Sequence, residues 1–303
     1  MGSYDGPCLF RRYQYVDDIA NGGNDFSKGD LTMRKVLLAT TALVAMSVTA
    51  AQADVSISGY QNLEITDDGT ATTWANDGAI TINGSSTTDS GLTLTAGYNL
   101  NTETGGTDDS YLDISGDFGS FRAGNTDDAL DRMDGANPAN WDESGWGGVG
   151  LNTQTDVMAS FIAPTVSGIT VYGSSTAEGA TSGMGVNYTN GPITAVYQSW
   201  TAGTQDNTLL AVNFSMAGAT IGFSTGDQDA AGTKTESSAM GVKYAVNDAL
   251  NLFYTSGKDT AAESTQSAVG GYYTIAPGLS AAFESMDDGS GDNQTYAHLQ
   301  VNF

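Results

Sequence analysis

The chain has 303 residues, with 10 Lys plus Arg against 35 Asp plus Glu, and a formal net charge of -25. That balance excludes nucleic acid as a partner, because phosphate binding needs clustered cations. Cys8 and His298 are the single cysteine and the single histidine, which excludes a disulfide framework, a multi-histidine metal centre and most thiol or imidazole catalysis.

Residues 1–32 show no period and hold Cys8, Arg11, Arg12 and Lys28. Met33 then opens MRKVLLATTALVAMSVTAAQA. Arg34 and Lys35 form a basic n-region, Val36 to Val48 a mostly apolar h-region, and Ala51-Gln52-Ala53 a small-x-small cleavage site. This order is that of a secretory signal peptide. A signal is read at the start of a chain. Residues 1–32 are therefore expected to be an upstream extension, 33–53 the signal peptide and 54–303 the mature domain. A cytoplasmic leader is the alternative for 1–32. No apolar run reaches the ~18–20 residues of a membrane helix. That leaves open spanning strands, which are ~9–11 residues long and half polar.

From Asp54 onward the apolar residues recur with period two, the signature of half-buried strands. Leu92, Leu94, Ala96, Tyr98 and Leu100 alternate with polar or small residues, as do Leu210, Val212, Phe214 and Met216. The alternation predicts sixteen strands: 54–66, 78–86, 92–100, 110–116, 121–125, 156–163, 169–175, 183–189, 193–200, 207–216, 220–226, 237–245, 250–257, 266–275, 279–286 and 294–303. Tight links such as Asn190-Gly191-Pro192 and Ala217-Gly218-Ala219 are expected to alternate with longer acidic ones. Examples of the latter start at Asp227-Gln228-Asp229 and at Asp287-Asp288-Gly289. The pattern predicts an all-β, transmembrane antiparallel barrel of 16 strands.

Two features support a membrane barrel. With the apolar face outward, the in-strand charges Glu64, Asp113, Arg122, Asp156, Lys243 and Glu284 fall on the other face, as does His298. A lipid-facing charge costs several kcal/mol, so one face is kept apolar. In addition, Phe161, Tyr188, Phe214, Tyr244, Tyr273 and Phe303 each stand next to a short turn or the C-terminus. Tyr98 and Tyr254 stand near opposite strand ends. That is an interfacial aromatic girdle, which a soluble sandwich core has no reason to build. Sixteen strands enclose a bore too wide for side chains to fill.

Thr126–Thr155 is the longest stretch without alternation after Asp54. It carries Asp127, Asp128, Asp131, Asp134, Asp142 and Glu143 with one base, Arg132. Loops of this length in compact domains are uncommon and usually functional or disordered. Its Trp141 and Trp146 argue against disorder. It is expected to fold into the bore, with Asp127, Asp128, Asp131, Asp134, Arg122 and Arg132 at a constriction. Glu64, Asp113, Lys243, Glu284 and His298 are expected to line the pore.

MRKVLLATTALVA with DVSISGY beyond the cleavage site, the block YLDISGDFGSFRAGNTDDA at Tyr111–Ala129, and the terminal TYAHLQVNF resemble the alphaproteobacterial general porins of the Gram-negative porin superfamily. The resemblance spans Met33–Phe303. It implies an outer-membrane barrel, usually a homotrimer among lipid and lipopolysaccharide, passing small hydrophilic solutes and ions by diffusion. It implies that the third external loop forms the constriction. It also implies that Leu299, Val301 and Phe303 form the signal read by the barrel-assembly machinery. The chain departs from the pattern in one respect. Members place several bases opposite the acidic loop, whereas Asp54–Phe303 holds only Arg122, Arg132, Lys234, Lys243 and Lys258 against 30 acids.

Blander readings stand beside these. An acidic loop is normally a solvated surface, and Arg122 could point into bulk water. Asp287-Asp288-Gly289-Ser290-Gly291-Asp292 lacks the spacing and terminal Glu of an EF-hand. A plain acidic turn is favoured there, so no cofactor is expected beyond weak calcium uptake by acidic loops. Trp74, Trp141, Trp146 and Trp200 are expected to be packing or interface residues. No Ser-His-Asp or paired-carboxylate spacing supports an enzyme. The leading expectation is a cation-preferring diffusion channel. A substrate-selective channel and a secreted surface protein such as an adhesin are the rivals.

Overall fold

The computed structural model describes residues 53–133, 135–138, 141, 157–177, 179–259, 265–287, 289 and 293–303. The expected extension and nearly all of the expected signal peptide lie outside them. In chain order the strands are β1 (Asp54–Asp67), β2 (Thr72–Thr87), β3 (Thr93–Asn101), β4 (Thr107–Gly116), β5 (Gly119–Asn125), β6 (Val157–Ile162), β7 (Ile169–Thr176) and β8 (Thr181–Asn190). They continue as β9 (Ile193–Ala202), β10 (Gln205–Met216), β11 (Ala219–Ala230), β12 (Thr233–Ala245), β13 (Leu250–Asp259), β14 (Thr265–Ala276), β15 (Leu279–Asp287) and β16 (Asn293–Asn302). Each pairs antiparallel with its chain neighbours, and β1 pairs with β16 to close the barrel. Every strand expected from the alternation is present.

The period-two pattern dictates the two faces of this wall. In strands, successive side chains point to opposite faces. Leu63 and Leu299 stand opposite each other across the seam, Phe121 and Phe161 between β5 and β6, and Phe214 and Ile221 between β10 and β11. All are exposed apolar residues on one face. Phe161, Tyr188, Phe214, Tyr244, Tyr273 and Phe303 are exposed on that face too, together with Tyr98 and Tyr254. The opposite face carries Glu64 and His298 in register, Asp113 and Arg122 in register, and Glu284 opposite Tyr296. It is the lumen face.

The strands run further than the alternation suggested. Asp227-Gln228-Asp229, expected to open a long loop, lies in β11 and pairs with Thr208, Asn207 and Asp206 of β10. The connection to β12 is only Ala231-Gly232. Ala231 has φ 53° and Gly232 φ 88°, the two positive angles of a type I′ hairpin that matches the strand twist. Thr72–Asp77 likewise extends β2 upstream of its expected start. Polar strand ends carry no apolar beat, which is why they read as loop. The expected contrast of short turns and long acidic loops therefore does not hold at these two hairpins. The connection after β5 is the long one, and Asp156 lies outside the described residues.

Candidate functional site

The described part of the long connection begins with a tight local fold. Asp128 is buried, and its Oδ1 accepts from the backbone N–H groups of Leu130 (2.7 Å) and Asp131 (2.8 Å). A carboxylate in that position caps a helical turn, here the 3-10 turn Asp131–Met133. The next residues reach the lumen face of the wall. Gln198 Nε2 on β9 donates to Leu130 O at 2.7 Å and to Tyr172 Oη at 3.1 Å. Tyr172 Oη donates to Asn187 Oδ1 at 2.7 Å, and Asn187 Nδ2 donates to Met133 O at 2.8 Å. Ala129 and Leu130 pack on Tyr172, Trp200 and Leu209, while Ala136 packs on Val196 and Ala211.

Trp141 lies further round the same face. Tyr272 Oη on β14 donates to Trp141 O at 3.0 Å, and Lys243 Nζ is 4.7 Å from the Trp141 ring centroid. Two glycines leave room for that ring. A Cβ at Gly222 would meet it at 2.7 Å, and one at Gly241 at 2.9 Å. The segment thus touches lumen-side groups from β7 to β14.

The charged groups of this region form two sets. At the root of the connection, Arg122 Nε donates to Asp113 Oδ2 at 3.2 Å. Ser120 Oγ donates to the same oxygen at 2.9 Å. The Arg122 guanidinium also lies 3.8 Å over the Tyr111 ring, a cation–π contact. Arg132 Nη1 donates to Ser160 Oγ of β6 at 3.3 Å. The second set is on the connection itself. Asp127 is exposed, Asp131 half-buried. Burial, then the negative charges of Asp127 and Asp128, push the Asp131 carboxyl up to about 6. Burial also raises Asp128, partly offset by its two backbone donors. Burial, then the neighbouring Arg122, lowers Arg132 from its usual value. Asp134 lies outside the described residues.

Glu64, Asp113, Lys243, Glu284 and His298 all stand on the lumen face, though not together. Glu64 and His298 face each other at the seam, where Tyr296 Oη is 3.3 Å from His298 Nδ1. Glu284 is 1 % exposed. Asp287 Oδ1 accepts from Gly289 N at 2.8 Å, an acidic turn. Among the described residues no group of three His, Cys, Asp or Glu is placed to hold a metal.

Sequence reasoning missed the anchors Gln198, Asn187, Tyr172, Tyr272, Gly222 and Gly241. One signal was available. β9 and β10 carry large apolar residues on both faces, with Val196, Trp200 and Leu209 on the lumen side. A wall with an apolar inner patch needs a cover.

A closed barrel with an exposed apolar outer face and polar lumen defines an outer-membrane channel. The chain belongs to the Gram-negative porin family, whose model matches residues 39–293. No curated protein is a significant sequence match. Among solved structures, a double mutant of Rh. blastica porin superposes with a TM-score of 0.69 at 16% identity, over 82% of this chain and 100% of that one. A loop L8 deletion mutant of OmpT, an outer membrane protein of Vibrio cholerae, gives 0.67 at 15% identity, over 83% and 99%. These likenesses establish the shared fold. Family and fold are those of channels in the outer membrane, not of enzymes.

Proposed function

We propose that the protein is a water-filled, cation-preferring diffusion channel for small hydrophilic solutes and ions, with the long connection as its constriction. The observation that carries this reading is the anchoring of Leu130, Met133 and Trp141 to lumen-side groups of β8, β9 and β14. A segment fixed there narrows the bore and holds Asp127 and Asp131 beside the ion path. Carboxylates close to that path select cations. Arg122 is a weak counterweight, because Asp113 already offsets it.

The same reading covers biogenesis and assembly. Residues 33–53 direct export, 1–32 are absent from the mature protein, and Leu299, Val301 and Phe303 engage the barrel-assembly machinery. The barrel sits among lipid and lipopolysaccharide as a homotrimer. The shortness of β5 (7 residues) and β6 (6 residues) supports that assembly. Strands spanning a bilayer need ~9–11 residues, so a neighbouring copy is expected to cover this sector. Any calcium uptake by the acidic turns is weak.

The test is planar-bilayer recording of the purified protein. Steps of conductance with a cation-sided zero-current potential are expected. A protein that inserts but carries no current would overturn the channel reading.

A further inference from the structure

We propose that the outer side of β7–β16 is built for a hydrocarbon layer thinner than that of an ordinary bilayer, and that its partners are lipids with short acyl chains. This rests on the membrane-barrel reading and names the lipid class that the barrel fits. The five hairpins β7–β8, β9–β10, β11–β12, β13–β14 and β15–β16 repeat one outer-face pattern. From the short-turn end upward, each carries three rungs of apolar residues or glycine. In β9–β10 they are Ile193–Phe214, Ala195–Val212 and Tyr197–Leu210. In β11–β12 they are Ala219–Tyr244, Ile221–Val242 and Phe223–Met240. The fourth rung is a pair of hydroxyls, Ser199–Thr208 in β9–β10 and Thr225–Ser238 in β11–β12. A Ser–Ser or Ser–Thr pair stands at the same place in the other three hairpins.

The rung beyond the hydroxyls brings charge. Asp227 faces Glu236 there, and Asp287 faces Asn293. At the other edge, Tyr188, Phe214, Tyr244 and Tyr273 stand in the first rung. Aromatic residues of that kind mark a membrane–water boundary. Three steps of two residues are about 20 Å along a strand. At a tilt of about 35–45° this gives about 15 Å of height from aromatic rung to hydroxyl rung, and about 20 Å to the charged one. The apolar band of an outer-membrane barrel is about 25 Å tall.

The charged rung is what sets the limit. Ser175, Thr225 and Ser256 donate to backbone carbonyls, so hydroxyls such as these tolerate some hydrocarbon. Two carboxylates face to face do not, because each would lose its water with no base to replace it. A hydrocarbon layer of about 25 Å resting on the aromatic rung would submerge Asp227 and Glu236. Short chains leave that rung in water and bring the hydroxyls to the headgroup oxygens, whereas long chains must thin around the barrel at a cost. On β1 and β2, exposed Leu63 and Trp74 carry apolar surface toward the far rim, so the short belt belongs to β7–β16.

The test refolds the protein into fluid phosphatidylcholine vesicles with chains of twelve, fourteen, sixteen or eighteen carbons. The temperature at which heat-modifiable migration is lost reports stability. The wild type is expected to be most stable at twelve or fourteen carbons and to lose about 10 °C by eighteen. Ser199→Val, Thr208→Val, Ser238→Val and Ser267→Val together raise the belt by a rung and should move the optimum about two carbons longer. Should that chain fail to fold, Ser199→Val with Thr208→Val is the smaller step and should move the optimum the same way. Ser174→Val with Ser224→Val puts valine on the lumen face at a similar height and should leave the optimum in place. A wild-type optimum at sixteen or eighteen carbons overturns the inference. So does an optimum that ignores the outer-face valines or follows the lumen ones. A wild-type chain that forms no heat-modifiable barrel in any vesicle overturns the membrane reading itself, and the inference with it.

Discussion

Gly59 and Phe303 exchange both of their backbone hydrogen bonds across the closing seam. Gly59 N donates to Phe303 O at 2.9 Å, and Phe303 N donates to Gly59 O at 3.0 Å. A Cβ at position 59 would meet Phe303 Cζ at 2.7 Å and Ala79 O at 2.5 Å. The last residue of the chain therefore closes the barrel on a residue that must be glycine.

Deleting Phe303 is expected to block assembly without blocking export. The truncated chain should collect in the periplasm or be degraded there, giving less than a tenth of the wild-type folded barrel on a heat-modifiability gel. Gly59→Val should fold poorly for the separate reason that its side chain collides with backbone. Wild-type amounts of barrel from either chain would contradict the seam assignment.

Replacing Asp127, Asp128, Asp131 and Asp134 with Asn is expected to lower the cation preference without abolishing conductance. Exposed charges are screened beyond ~8 Å at physiological salt, so carboxylates near the path keep their effect at high salt and distant ones do not. Arg122→Gln should raise the preference, because it frees the charge of Asp113. The zero-current potential at low and high salt checks both. A four-Asn variant with an unchanged potential removes the connection from the ion path.

The selectivity should depend on pH through Asp131. Its carboxyl titrates at about 6, so it is an anion above that pH and neutral below it. Cation preference should fall as pH drops from 7 to 5, and Asp131→Asn should flatten that step. The linked stability runs the other way. The folded pKa is raised above the usual carboxylate value, so the folded state holds more protons between about 4 and 6. This contribution favours the docked turn at low pH and is lost as pH rises through 6. A zero-current potential flat between pH 7 and 5 would exclude the role.

Trp141→Ala is expected to loosen the connection while leaving the barrel intact. Truncating a buried Trp costs about 3–5 kcal/mol, here charged to the docked segment rather than to the strand ladder. Larger and noisier unitary conductance should follow, with entry of larger sugars in a liposome-swelling assay. Tyr272→Phe removes one hydrogen bond, worth about 1 kcal/mol, and should act in the same direction more weakly. Identical conductance and size limit in Trp141→Ala would show that the ring does not hold the segment in place.

N-terminal sequencing of membrane-extracted protein is expected to begin Asp54-Val55-Ser56. A mature chain that still contains Cys8 would refute the signal-peptide reading of Met33–Ala53.

The barrel was legible because its pattern is written locally. Leu94, Ala96, Tyr98 and Leu100 announce a strand whatever surrounds them, and sixteen such runs leave few architectures. The ends of the strands were not legible, since Asp227 and Asp229 lie beyond the apolar band and mimic a loop. Docking of the long connection was least legible. It depends on Gly222, Gly241 and Tyr272, which lie far from Trp141 along the chain and show no motif. The length and the tryptophans of the connection pointed into the bore, but not to the residues that receive it. Asp128, expected at the constriction, also caps the turn at Asp131 through Leu130 N and Asp131 N, a contact that no spacing announced.

The two-residue turn at Ala231-Gly232 has a bearing on the living cell. Between β11 and β12 the rim is hydrogen-bonded ladder up to its edge, and no slack chain is available there to fold over the entrance. A short epitope inserted between Ala231 and Gly232 would be the only protruding element of that hairpin, and antibody labelling of intact bacteria would then report which way this end of the barrel faces.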